Sequence, residues 1–163
     1  MDAKVDKTLK ITTPSDLEIA MTRVFDAPRH LVFDAMTQPQ HVRRWFGCAA
    51  FALSVCEIDL RVGGAYHFTM RMPDGVENTL QGVYLEVERP ERVMFTEQFS
   101  MPGFTSGEYQ VTSTFVERDG KTTLTTTILH TSKENRDGHL NSGIENGVAP
   151  AYDRLAEVVA TMA

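Results

Sequence analysis

The sequence predicts an α+β domain in which a seven-stranded antiparallel sheet curves around a long C-terminal helix, with two short helices between strands one and two. Three observations predict it. From residue 50 to residue 130, runs of alternating apolar residues are interrupted by turn signals at a spacing of about ten residues. Alternation within those runs leaves one apolar face and one rich in threonine, the pattern of a sheet covered on one side only. The one long amphipathic stretch left to cover it lies near the C-terminus.

In chain order, residues 1–15 carry little pattern and include Thr12-Thr13-Pro14-Ser15, so they read as a tail or short edge segment. The domain proper is residues 16–163. Leu17, Ile19, Met21, Val24 and Phe25 alternate imperfectly as a first strand, and Asp26-Ala27-Pro28 stops it, Asp being a favoured N-cap and Pro tolerated in a first turn. Leu31, Val32, Ala35 and Met36 then share one face of a short helix over 28–36. Thr37-Gln38-Pro39 restarts the chain, and His41, Val42, Trp45 and Phe46 keep helical spacing until Gly47.

Strands follow at 50–60, 65–72, 80–88 and 92–99, punctuated by Gly63-Gly64, Pro73-Asp74-Gly75 and Arg89-Pro90-Glu91. Met101-Pro102-Gly103 opens a longer connection. Two further strands are joined by Asp119-Gly120, a type I′ hairpin signal. Residues 132–147 are polar and glycine-punctuated, whereas 151–162 are helical in composition, with Tyr152, Leu155, Ala156, Val159 and Ala163 forming an apolar stripe. Pro150 predicts a start or kink, leaving the stretch from Asn141 as a separate or bent turn.

At 163 residues and 42% hydrophobic content, with no apolar run of bilayer length, the chain is expected to form one domain with a sizeable core and not to engage membrane. Its polar N-terminus of mixed charge lacks a secretory pattern, so cytoplasmic residence is expected. A formal charge of −6, without a Lys/Arg run, argues against nucleic acid as a partner. Cys48 and Cys56 are not in CxxC spacing and read as small core residues. The histidines His30, His41, His67, His130 and His139 show no metal-ligand spacing, and no P-loop, dinucleotide fingerprint or nucleophile elbow is present, so neither metal nor cofactor is expected.

Alternation places Tyr66, Phe68 and Met70, then Val93, Phe95, Glu97 and Phe99, then Val111, Ser113 and Phe115, then Leu124, Thr126, Ile128 and His130 on the inner face. Residues 80–87 fit either orientation. Seven strands about 4.8 Å apart make a sheet nearly three times as wide as one helix. Either side chains and the short helices close the concavity, or a pocket remains where helix meets sheet.

Several motifs occur in order: Phe25-Asp26-Ala27-Pro28 with Val32-Phe33, Thr37-Gln38-Pro39-Gln40-His41 with Trp45-Phe46-Gly47, Asp59-Leu60-Arg61-Val62-Gly63-Gly64, and Gly82-Val83-Tyr84-Leu85-Glu86-Val87 with Pro90-Glu91-Arg92. On these the chain resembles bacterial proteins of the START-like (SRPBCC) superfamily, in the branch named after the C-terminal domain of the activator of the heat-shock-protein ATPase, over about residues 16–162. The resemblance implies a helix-grip fold with a deep cavity between sheet and C-terminal helix, which relatives use for lipids, sterols, polyketides and plant hormones.

The expected ligand is therefore a small, mostly apolar molecule, with Trp45, Tyr66, Phe68, Phe95, Glu97, Val111, Phe115, His130 and Tyr152 as candidate lining residues. Glu97 aims a carboxylate inward, as a ligand anchor or general acid/base, unless the strand frays near Phe99 and lets it reach solvent. His130, at a strand end, either holds a polar ligand group or is capped by solvent. Asp59 and Arg61 read as an ion pair bracing a turn. Two alternatives stand beside ligand binding. One is an enzyme of cyclase, dehydratase or hydrolase type with Glu97 or His130 handling protons. The other is a chaperone accessory or other protein-interaction module, or a homodimer, using the threonine-rich face or an edge strand.

Overall fold

The computed structural model describes residues 8–46 and 52–162. Through these the chain runs β1 (Lys10–Thr12), β2 (Glu18–Phe25), α1 (Arg29–Thr37), α2 (Pro39–Trp45), β3 (Ala52–Ile58), β4 (Ala65–Arg71), β5 (Glu77–Glu88), β6 (Arg92–Met101), β7 (Phe104–Thr105), β8 (Tyr109–Arg118), β9 (Lys121–Leu129), α3 (Lys133–Leu140) and α4 (Ile144–Ala160). The strands pair antiparallel in the order β1-β2-β9-β8-β6-β5-β4-β3, with β7 paired to β6 alone. Seven of these are the expected strands. The short β1 falls in the segment read as a tail or edge, and β7 in the connection after Met101. Among the described residues, no helix is long and apolar enough to cross a membrane.

The helix caps depart from expectation. Pro28, not Asp26, is the N-cap of α1 and offers no side-chain bond, so the Arg29 N–H donates instead to Glu117 Oε1 of β8 at 2.8 Å. A distant carboxylate does there what a local cap does elsewhere. In α2, Pro39 takes the first helical position and Gln38 caps it, while the Thr37 hydroxyl donates back to the Phe33 carbonyl at 2.7 Å. The predicted stop at Gly47, Cys48, the strand start at residue 50 and Ala163 lie outside the described residues. Asp119 and Gly120 have φ of 55° and 77°, as a type I′ hairpin requires.

The polar stretch after β9 corrects the sequence reading. Residues 133–140 form α3, whose N-cap Ser132 accepts from the Asn135 N–H at 3.0 Å and whose first turn is pinned by Lys133 and Asp137 at 2.7 Å. Its poor apolar pattern hid it. α4 begins at Ile144, seven residues before the expected start at Ala151, and continues through Pro150. Proline removes one backbone bond without ending the helix because both halves are packed. Replacing Ser132 by Ala is expected to cost about 1 kcal/mol, read as a shifted urea midpoint with unchanged slope.

The ambiguity of β5 is resolved by an irregularity of register between Tyr84 and Glu86. Leu80 and Tyr84 face inward before it and Val87 after it, leaving Val83 and Leu85 exposed. Three apolar clusters result. The largest joins α1, α2 and α4 to β2, β4, β5, β6, β8 and β9 through residues that include Phe25, Phe33, Trp45, Tyr66, Tyr84, Val93, Phe115, Leu124, Tyr152 and Leu155. A second holds Ile19, Met21, Tyr109, Val111 and Ile128 under Leu140, Ile144 and Val148, and a third holds Val42, Leu53, Cys56 and Met70. Cys56 is thus the core residue expected.

Candidate functional site

Over the middle of β4, β5 and β6 the clusters are linked only through partly buried side chains, Phe68 packing on the first and third and Phe95 on the first and second. Phe68, Leu80 and Phe99 stand opposite one another across these strands and face inward, yet each stays partly exposed, as do Phe95 and Glu97. On the other half of the sheet the inward side chains of β2, β8 and β9 are buried. The concavity is filled at one end and on one flank, and a strip of apolar surface with one carboxyl group is left incompletely covered.

Register brings that carboxyl its partners. Tyr66 of β4 is paired with Gly82 of β5, and Glu97 of β6 with Tyr109 of β8. With no side chain on Gly82, the Tyr66 ring passes over β5 to β6. Its hydroxyl lies 3.1 Å from the Thr96 carbonyl and 3.0 Å from Glu97 Oε1, while the Tyr109 hydroxyl donates to Glu97 Oε2 at 2.8 Å. A Cβ on residue 82 would be driven into the Thr96 carbonyl and lie 2.9 Å from a ring carbon of Tyr66.

Counting protons favours the neutral state of Glu97. A phenol has one proton, and the Tyr66 hydroxyl faces two acceptors. An ionised Glu97 leaves two protons for three contacts. A neutral one donates to the Tyr66 oxygen, which donates to Thr96, while Tyr109 donates to Oε2, and all three are satisfied. Desolvation acts in the same direction: burial raises the Glu97 carboxyl above the usual carboxylate range, against the opposing pull of the Tyr109 and Tyr66 hydroxyls. Burial and the adjoining carboxyl also raise the Tyr66 and Tyr109 phenols.

His130, expected to face the interior, does so but turns to α3 instead of Glu97. Its Nε2 lies 2.9 Å from Nδ1 of His139, and both rings pack on Tyr109, with centroids at 4.8 and 5.3 Å. Burial, then the neighbouring Arg136, lowers the pKa of His130; burial, then His130, lowers that of His139 to about 4. A lowered folded-state pKa means that the unfolded chain binds more protons as the pH falls from 6.5 towards 4. The pair's stabilisation is therefore present above 6.5 and lost through that window, at up to about 1.4 kcal/mol per pH unit for each group. His139→Gln is expected to flatten acid unfolding between these limits, read from urea midpoints at several pH values.

The remaining candidates are packed. The Trp45 indole donates to the Ala35 carbonyl at 2.8 Å, Phe115 meets Phe33 edge-on at 5.2 Å, Val111 sits in the second cluster, and the Tyr152 hydroxyl lies 3.3 Å from that of Thr126. Asp59 and Arg61 form the expected exposed pair, at 2.9 and 3.0 Å. Of the recesses among the described residues along the line where helix meets sheet, none matches the deep cavity that the resemblance implies. A recess of about 190 Å³ lies between β2 and the end of α4, lined by Arg23, Phe25 and Val159, and another of about 160 Å³ lies beside Tyr109 and His130. Neither includes Glu97. Arg23, unforeseen on the inner face, is buried there 3.1 Å from Asp153 of α4.

With this geometry in place, comparison with known proteins places the chain. The model of the family described as Activator of Hsp90 ATPase homolog 1-like protein matches residues 26–160. The chain belongs to this family. Solved structures similar to this Activator of Hsp90 ATPase homolog 1-like chain include a Rhodobacter sphaeroides protein, 22% identical with a TM-score of 0.87, covering 96% of this chain and 100% of its own. A Mycobacterium smegmatis protein is 23% identical with a TM-score of 0.82, over 96% and 98% of the two chains. DynU16, from the dynemicin biosynthetic locus, is 26% identical with a TM-score of 0.66, over 91% of this chain and 48% of its own. No curated protein matches the chain. These likenesses carry the helix-grip fold. The Glu97 network is argued from this chain's own residues.

In the sequence Gly82 stands in a motif without a role of its own, and Tyr109 and Asn78 are not among the candidate residues. A lone glycine inside a strand pattern signals close approach of another group, and that signal was available for Gly82. Tyr109 continues the Val111, Ser113, Phe115 alternation by one step. Asn78, opposite Met70, has a buried Oδ1 with no hydrogen-bond partner, which no sequence pattern announces.

Proposed function

We propose that this chain binds a small, mostly apolar molecule over the strip formed by Phe68, Leu80, Phe95 and Phe99, with the ligand's polar group at Glu97. One observation carries the reading: an inward carboxyl with two tyrosine partners sits on an apolar surface that the helices leave partly uncovered. Tyr66 and Tyr109 hold the carboxyl in place, while Trp45, Phe115 and Tyr152 make the rigid end of the container.

A thermal-shift screen of lipophilic compounds tests it. A ligand at 100 times its dissociation constant adds about 2.7 kcal/mol, which for a domain of this size raises the melting temperature by roughly 5 to 10 °C. Replacing Leu80 by Arg, on the strip, is expected to abolish the shift. No shift across the library, together with no retained small molecule in native mass spectra, would defeat the reading.

A further inference from the structure

The polar groups on the strip are unequal in kind. Among the described inward positions of β3 to β6 there is no Lys, Arg or His: they are Leu53, Cys56 and Ile58, then Tyr66, Phe68 and Met70, then Asn78, Leu80, Gly82, Tyr84 and Val87, then Val93, Phe95, Glu97, Phe99 and Met101. Arg43 of α2 and Arg154 of α4 are engaged by the carbonyls of Leu53 and Trp45. Among the described inward strand positions an anionic ligand would meet no cationic side chain, and the Arg43 guanidinium acts on Cys56 and not on Glu97.

What remains open are acceptors. Each Glu97 oxygen has a lone pair beyond its tyrosine contact. The other is Asn78 Oδ1, buried and unpartnered on the same face; the next residue, Thr79, pairs with Ser100 of β6, three residues from Glu97 and about 10 Å along the strand. A buried acceptor without a donor costs about 1–3 kcal/mol, which a ligand's N–H would recover. Aromatic faces surround the carboxyl, with Tyr66 against Phe68 and against Phe95, each pair at 5.3 Å, and such faces attract cations. The net charge of −6 draws the same class of molecule from solution.

We propose that the molecule taken up over Glu97 is an apolar organic cation of the alkylammonium class, and not a fatty acid or other anion. This rests on the ligand-binding reading above. The ammonium enters charged, and the Glu97 carboxyl gives its proton to solvent. The Tyr66 hydroxyl then turns from the Thr96 carbonyl to Oε1, so that two phenols and the ammonium surround the carboxylate. Tyr66, Tyr84, Tyr109 and Tyr152 are the titratable groups whose charge couples to Glu97, and their phenols stay protonated throughout.

Calorimetric titration with octylamine, 1-octanol and octanoate at pH 7 tests the inference. Octylamine is expected to bind at least tenfold tighter than octanol and octanoate more weakly than either. Titrations in buffers of different ionisation enthalpy should show protons released on octylammonium binding, up to about one per molecule bound and fewer as the pH is raised, a readout on the unaltered protein. In Glu97→Gln, amine affinity should fall to that of octanol and the proton release should vanish. Octanoate binding as tightly as octylamine, or proton release that persists in the variant, overturns the cation assignment and leaves the ligand-binding reading standing. Failure of all three probes, with a silent lipophile screen, removes both.

Discussion

Replacing Glu97 by Gln is expected to leave the protein folded at pH 5 and to make it more stable than the parent at pH 8. The Gln amide reproduces the neutral acid: its NH₂ donates to the Tyr66 oxygen and its carbonyl accepts from Tyr109, keeping the contacts at 3.0 and 2.8 Å. In the parent, burial raises the folded-state pKa of Glu97 above the unfolded value near 4.5. Between those two values the folded state holds a proton that the unfolded chain has released. Stability from this group is therefore complete below pH 4.5 and falls as pH rises, by up to about 1.4 kcal/mol per unit, until the folded carboxyl itself ionises. The variant has nothing to release. Urea midpoints from pH 4.5 to 8.5 should show the parent declining relative to Glu97→Gln. Parallel curves would mean that Glu97 is already ionised at the lower limit. The histidine pair contributes the opposite slope below pH 6.5, common to both proteins, so it cancels in the difference.

Strand alternation carried most of what was legible in advance. Val93, Phe95, Glu97 and Phe99 on one strand, with Tyr66 and Phe68 on another, place a carboxyl on an apolar face by period alone, and the structure keeps that assignment. Residues 80–87 were illegible for a physical reason: an irregular register lets both alternations be right, one on each side of Leu85. α3 was missed because it is held by a serine cap, an i,i+4 ion pair and Arg136, whose guanidinium reaches the Ser15 carbonyl at 2.7 Å, and not by an apolar stripe. Long-range partners are the part a single sequence hides. Nothing local to His130 points to His139, and nothing local to Tyr66 says that it reaches past its neighbouring strand to Glu97.

That reach makes Gly82 the most demanding position in the site. Gly82→Ala is expected to destabilise the domain by about 3 kcal/mol or more, a fall in melting temperature of roughly 6 to 12 °C for this size. The added methyl meets the Thr96 carbonyl, which is backbone and cannot turn aside, and the ring of Tyr66. Gly138 provides the contrast. It lies exposed in α3 with nothing within 4 Å of a built Cβ, so Gly138→Ala should stabilise by about 1 kcal/mol through helix propensity. A backbone clash alone explains lost stability but makes no statement about Glu97. If the methyl also lifts Tyr66 off the carboxyl, the effects of Gly82→Ala and Glu97→Gln cannot add, because each removes part of the same network. The double variant, melted at pH 5 and pH 8, should show a coupling energy of about 1 kcal/mol. Strict additivity at both pH values would confine the role of Gly82 to strand packing and detach it from the ligand site.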